Sequence, residues 1–295
     1  MLILLPWPGF HSQNRPMILE ELIQKYTNEE SKWIDVLGVN VHYRDEGSGP
    51  VLLLIHGTFS SLHTYDDWTK HLKTKFRIIR FDMPGFGLTG PNPSDEYSIE
   101  LFVSFFKNFL DQLEIKECSV VGNSLGGWLA WEYALSDQER VKKLILLDAA
   151  GYINDNNYPL PFVIAQTPVL RNVFNFIPKA VVRRFTRQVF FDQTKVTENV
   201  IERYYNLIHR EGNKEAFVKI ANTRYKQNTH SLRDLKIPVL VQWGHEDRWL
   251  DVEHAYKFQK DIPDCQLIIY EEVGHIPMEE IPEESALDAM EFLMT

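Results

Sequence analysis

Cysteine is nearly absent. Only Cys118 and Cys265 occur in 295 residues, too few for a disulfide scaffold or a cysteine-rich metal site. Both sit in apolar runs, where a buried free thiol is the ordinary outcome. Positive charge is also in deficit: 31 Lys and Arg stand against 41 Asp and Glu, a formal charge of -10. That balance opposes attraction to phosphate backbones or anionic lipid, so no nucleic-acid partner is expected. No apolar run approaches the roughly 20 residues of a membrane-spanning helix. The opening Met1 to Phe10 is apolar but short and broken by Pro6 and Pro8, and it lacks the charged n-region and small-residue cleavage site of a secretory signal. A soluble, cytoplasmic protein is expected, with a weak membrane contact through Met1 to Phe10 as the alternative. Internal repeats and low-complexity tracts are missing too, which sets a solenoid aside.

What is present is enough to bury a large core: 44% hydrophobic, 13% aromatic and 24% charged residues. The length predicts one core with an inserted cap. A polar, helix-like stretch from Met17 to Tyr26 is followed by an alternating segment, Lys32 to Asp45, with Leu37-Gly38 as a candidate hairpin turn. Continuous apolar runs then read as strands covered on both faces: Val51 to Ile55, Phe76 to Phe81, Cys118 to Val121, Val141 to Leu147, Val239 to Val241 and Cys265 to Tyr270. Amphipathic stretches of helical length separate most of them, including Ser98 to Leu113, Leu125 to Ser136 and Val252 to Lys260. Such alternation predicts an α/β fold with a mainly parallel sheet wrapped by helices.

The alternation fails between Gly151 and Leu232, where helical patterns occur at Lys179 to Phe190 and Thr197 to Arg210 without convincing strands. The expected organisation is a leader and helix over 1–31, core over 32–150, a helical lid over 151–232, and core again over 233–295. The lid is rich in phenylalanine, including Phe162, Phe174, Phe176, Phe185 and Phe190. These residues fit either an apolar pocket or packing of the lid onto the core.

The strongest chemical signal is Gly122-Asn123-Ser124-Leu125-Gly126-Gly127, which closes an apolar run and opens a helical pattern. A serine at a sharp strand-to-helix turn adopts a strained backbone, and small residues two before and two after it prevent clashes. The turn exposes the hydroxyl and aims the helix N-terminus, with the amide of Leu125, at a developing oxyanion. Because a serine hydroxyl is a weak nucleophile at neutral pH, it needs a base. His275 follows the last strand, and Asp247 follows the run that begins at Val239, so both loops open on the carboxyl edge of the sheet. The chain order Ser124, Asp247, His275 is the one this elbow requires. Glu246, the neighbour of Asp247, and Asp148, after the run Val141 to Leu147, are the runners-up for the carboxylate that orients the histidine.

A second oxyanion donor is expected after Val51 to Ile55, in His56-Gly57-Thr58-Phe59, from the amide of either Thr58 or Phe59. Gly57 is read there as the residue that lets the backbone turn. Asn123 either hydrogen-bonds near the oxyanion or tolerates the strained turn. Arg203, in an aromatic lid, either pairs a substrate carboxylate or is a solvated helix residue.

Together, His56-Gly57, Asp82-Met83-Pro84-Gly85-Phe86-Gly87, Gly122 to Gly127, Gly244 to Asp247 and Gly274-His275 resemble the α/β-hydrolase superfamily over about residues 32 to 295. The resemblance implies an eight-stranded, mostly parallel sheet, a helical lid after the sixth strand, a covalent acyl-enzyme, and no metal or organic cofactor. Haloalkane dehalogenases and epoxide hydrolases of this type carry aspartate where Ser124 stands. A nearer resemblance is to meta-cleavage-product hydrolases, which split carbon-carbon bonds in dienoates. It rests on the Gly122 to Gly127 elbow, Asp247-Arg248, and Thr197 to Tyr204, in which Arg203 matches the position that holds the substrate's acid group. Ile276 departs from that group, which often has Trp there.

Three functions follow as expectations. The leading one is hydrolysis of a small-molecule carboxylic ester through an acyl-enzyme. Carbon-carbon hydrolysis of a dienoate by the same residues is the alternative, and a non-catalytic binding protein on the same fold is the third. The oligomeric state is left open, a dimer included.

Overall fold

The computed structural model describes residues 16–152, 159–168, 177–223 and 227–295. Met1 to Phe10, Phe174 and Phe176 lie outside the described residues. The hairpin forms as expected: β1 (Ser31–Val36) pairs antiparallel with β2 (Val39–Gly47), with Val36 opposite Val39. Its turn residues Leu37 and Gly38 take φ of 55° and 82°, the left-handed pair that matches the twist of the flanking strands.

β3 (Val51–Ile55), β4 (Arg77–Phe81), β5 (Cys118–Asn123), β6 (Val141–Leu147), β7 (Val239–Gly244) and β8 (Cys265–Tyr270) complete one eight-stranded sheet in the order β1-β2-β4-β3-β5-β6-β7-β8. Strand β2 is antiparallel to both neighbours, and the other pairs are parallel. Chain order reverses between β3 and β5, so the crevice at their carboxyl ends is the natural place for a ligand.

The helices are α1 (Leu19–Tyr26), α2 (Asp66–Leu72), α3 (Ile99–Gln112) and α4 (Leu125–Ser136) before β6, and α9 (Glu253–Asp261), α10 (Pro277–Glu280) and α11 (Pro282–Met294) after β7. Side chains of β3 alternate between two apolar layers. Leu53 and Ile55 join Phe106 of α3, Trp128 of α4 and Phe258 of α9; Leu52 and Leu54 join Trp68 of α2, Met278 of α10 and Phe292 of α11. Both faces are therefore covered, which is why the strand is apolar at every position.

Between β6 and β7 the described chain holds α5 (Leu160–Gln166), α6 (Lys179–Val189), α7 (Glu198–Ile208) and α8 (Asn213–Asn222), with no strand among the described residues. Helices α6 and α7 match the two expected patterns. The other two do not: α5 starts at a proline turn, and α8 starts from Gly212 at φ 85°. Of the phenylalanines between β6 and β7, Phe162 packs on Phe217 with ring centres 5.3 Å apart, and Phe190 is buried in the core layer. Helix α1 docks on α7: Lys25 pairs with Glu202 at 2.7 Å, and Asn206 Nδ2 donates to the Tyr26 hydroxyl at 2.8 Å. Both cysteines are free. Burial pushes each thiol up to about 12, so neither is a ready nucleophile.

Tight backbone contact explains the elbow glycines. A Cβ on Gly126 would lie 2.4 Å from the His56 carbonyl oxygen and 2.5 Å from that of Ile55. Since both neighbours are strand-end backbone, Gly126→Ala is expected to cost about 1–3 kcal/mol of stability, read as a lower Tm in thermal unfolding.

Candidate active site

The nucleophile candidate sits where β5 gives way to α4. Ser124 has φ 56° and ψ -120°, a region that an L-residue enters only when its surroundings impose it. Its amide donates to Leu147 O at 3.1 Å, and its carbonyl accepts from Trp128 and Ala150 amides at 3.1 and 2.9 Å. These bonds on both sides hold the strained residue in place. Leu125, the next residue, is the first of α4, and first-turn amides have no partner within their own helix.

His275 and Asp247 meet as expected. His275 Nδ1 lies 2.6 Å from Asp247 Oδ2, with the carboxylate fully buried and the imidazole nearly so. Asp247 Oδ1 accepts from the Trp249 and Leu250 amides at 2.7 and 3.1 Å. With Nδ1–H donated to Asp247, the ring's Nε2 is the nitrogen left to act as base. The Trp249 ring stacks on the imidazole at 5.6 Å. Glu246 instead meets the exposed His245 at 3.2 Å, and Asp148 accepts from the Gly244 amide at 2.9 Å.

Ser124 and His275 line one cavity of about 620 Å³, its mouth included. Among the described residues no hydrogen bond yet joins the serine hydroxyl to the imidazole. Gly57, Thr58, Phe59 and Ser60 form one wall. Their turn closes through Ser60 N donating to Gly57 O at 3.3 Å, which leaves the Thr58 and Phe59 amides outside that bond. Phe59 carries the left-handed backbone, φ 62°, rather than Gly57. The reading of Gly57 as a turn residue is thus corrected: a Cβ there would lie 2.7 Å from Asn123 Oδ1 and 3.0 Å from Ser124 Cβ, so close approach is the reason. His56 packs beneath. It accepts from the Met83 amide through Nε2, so its Nδ1–H donates to Gly57 O at 2.7 Å, and burial keeps the ring neutral.

The two residues read as substrate-binding, Asn123 and Arg203, both hold partners within the protein. Asn123 lines the cavity, but its side-chain amide donates to Leu147 O and His275 O, each at 3.1 Å. It ties the elbow to the His275 loop. Arg203 does not line the cavity among the described residues. Its guanidinium pairs with Glu279 at 2.6 Å and approaches His63 O at 3.4 Å. Glu279 also accepts from Tyr204 Oη at 3.0 Å and Thr64 Oγ1 at 2.6 Å. Burial works against the Arg203 charge, but Glu279 outweighs it and the group stays ionised. A buried internal counter-ion thus matches the Arg203 charge.

Sequence reading missed Trp249, Glu279 and Glu280. Glu280 accepts from the Gly274, Phe191 and Asp192 amides at 2.8, 3.1 and 2.6 Å, and His275 N donates to Val189 O at 2.8 Å. Short helix α10 therefore fastens the chain after α6 to the His275 loop. The signal was two adjacent carboxylates just past His275 in an otherwise apolar stretch. Carboxylate and imidazole atoms lie within 4.8 Å of one another at Asp148, Asp247 and His275, and at His245, Glu246 and Glu271. In the first group Nδ1 of His275 is already engaged by Asp247, and the second is exposed. No helix among the described residues is long and apolar enough to cross a membrane.

The rest of the cavity comes from Ile177, Val182, Phe185, Thr186, Val189 and their neighbours, and no Lys, Arg, Asp or Glu lines it among the described residues.

A family model described as alpha/beta hydrolase fold matches residues 50–282. The chain is 27% identical over 258 residues to the 2-hydroxy-6-oxononadienedioate/2-hydroxy-6-oxononatrienedioate hydrolase of Paraburkholderia phymatum, covering 83% of this chain and 89% of that protein. It is 26% identical over 248 residues to the 2-hydroxy-6-oxo-2,4-heptadienoate hydrolase of Pseudomonas putida, covering 81% and 87%. Among solved structures it is similar to a meta-cleavage product hydrolase (CumD) of Pseudomonas fluorescens IP01, with a TM-score of 0.76, 26% identity, and coverage of 90% of this chain and 98% of that one.

Glu279→Ala would leave Arg203 buried without its counter-ion, an expected loss of about 3–5 kcal/mol in urea unfolding. Replacing both partners with Met and Leu should lose much less, because no unpaired charge remains.

Proposed function

The chain belongs to the alpha/beta-hydrolase fold family, and on that premise we propose that it is a serine hydrolase of neutral carboxylic esters, with Ser124, His275 and Asp247 as its triad. Ser124 attacks the ester carbonyl while His275 Nε2 takes the hydroxyl proton. Asp247 holds the ring through Nδ1–H and stabilises its charged form. The oxyanion falls to the amide of Leu125 and to that of Thr58 or Phe59, donors fixed before the reaction begins. His275 returns the proton to the leaving alcohol, and the acyl-enzyme is then opened by a water that the same histidine activates.

For the reaction class, the strained Ser124 facing the same cavity as the His275–Asp247 pair carries the argument. The choice of substrate class rests on the lining. A dienoate bears a carboxylate that would need a cation in a largely apolar cavity, whereas Arg203 is already matched by Glu279.

Carbon-carbon hydrolysis of a dienoate is the second reading, and the relatives' names favour it over ester cleavage. The same Ser124 chemistry applies, so substrate turnover separates the two. On p-nitrophenyl esters of graded chain length beside a dienoate ring-fission product, ester cleavage is expected to give the higher kcat/KM. Efficient dienoate turnover with slow ester hydrolysis would overturn the ester reading. Ser124→Ala should abolish labelling by a fluorophosphonate probe with the fold intact by circular dichroism. Asp247→Asn should lower kcat on the order of 10³–10⁴-fold; near-normal turnover would remove Asp247 from the triad.

A further inference from the structure

Asp148 is a buried carboxyl for which the triad has no task. It follows β6 with φ 42°, is inaccessible to solvent, and accepts from the Gly244 amide through Oδ1. Its Oδ2 is buried with no donor among the described residues. One oxygen of Asp148, one of Asp247 and a ring nitrogen of His275 lie within 4.8 Å of one another. Ionised, Asp148 would set a second negative charge beside Asp247 in a site cut off from water, with Oδ2 as an unmatched acceptor. As the neutral acid, it turns the same oxygen into a donor with a carboxylate close by.

We propose that Asp148 is a neutral carboxylic acid in the folded protein that hydrogen-bonds the Asp247 carboxylate, making it a positioning residue for His275. The assignment rests on Asp247 being the acid of the triad. The proton belongs on Asp148 because Asp247 already accepts from two backbone amides and from the imidazole, whereas Asp148 accepts from one amide. The titratable groups facing Asp148 are Asp247 on the loop after β7, His275 on the loop after β8, and Glu280 on α10. Burial, then the Asp247 charge, hold its carboxyl well above the usual carboxylate range, against the pull of the Gly244 amide.

A proton held when folded and released when unfolded has a definite sign. The raised group contributes stability that is fully present below the ordinary carboxylate range and is lost as pH rises toward the folded value. Asp148→Asn keeps an oxygen for Gly244 and offers an N–H to Asp247 without carrying that proton. Its Tm relative to wild type should therefore climb between about pH 5 and about pH 8, while kcat/KM and its acid limb stay within about threefold of wild type. Asp148→Ala, which offers no hydrogen bond, should lower kcat by about tenfold or more with a smaller effect on KM. A pH-independent Tm difference would overturn the proposal. So would an acid limb displaced to lower pH in Asp148→Asn, the mark of a negative charge removed from beside His275, or an unchanged kcat in Asp148→Ala. Should neither variant fold, infrared spectra of the wild-type protein at neutral pH decide: a protonated-carboxyl carbonyl band is expected, and its absence overturns the assignment. The Tm and infrared readings need no turnover, so they remain separate from a failure of the triad, which the Ser124→Ala labelling reports.

Discussion

The backbone at Ser124, φ 56° and ψ -120°, costs on the order of 1–3 kcal/mol, and much of the surrounding structure exists to hold it there. Glycines at 122 and 126 let α4 approach β3 and β5 so closely that a Cβ on either would meet a backbone carbonyl oxygen within 2.4 Å. Leu147 at the end of β6 receives the Ser124 amide. The fully covered central strands resist the deformation that would relax the turn. The strained residue, the switch in strand order and the apolar two-sided sheet are thus one arrangement seen at three scales.

That arrangement explains which features were legible in the sequence. Steric requirements leave a local trace: glycines flanking Ser124, apolar runs for covered strands, and the Leu37-Gly38 turn. The positions of His275 and Asp247 followed because each trails a recognisable strand. Partnerships across the fold leave no such trace. Arg203 and Glu279 stand 76 residues apart, and nothing near Arg203 in the chain indicates that its charge is matched from α10. Gly57 was located correctly but for the wrong reason, since crowding by Asn123 and a bend in the chain both favour glycine. Helix α8 begins at a left-handed glycine that reads equally well as the end of a helix.

Buried charged side chains near the cavity are met by the protein itself. Asp247 is met by two amides and an imidazole, Glu279 by Arg203, Tyr204 and Thr64, and Glu280 by three amides. The walls of the cavity can therefore be apolar although carboxylates stand close behind them. Electrostatic demands are settled in the scaffold, which leaves the described lining of the cavity to uncharged groups.

The bond from His275 N to Val189 O, 2.8 Å long, joins the His275 loop directly to the last residue of α6. Val189 lines the cavity together with Val182, Phe185 and Thr186 of the same helix. Swinging that end of α6 outward must break the bond and loosen the loop that carries the imidazole. The wall of the cavity and the seat of the imidazole are thus fastened to each other, so a displacement of one is passed to the other.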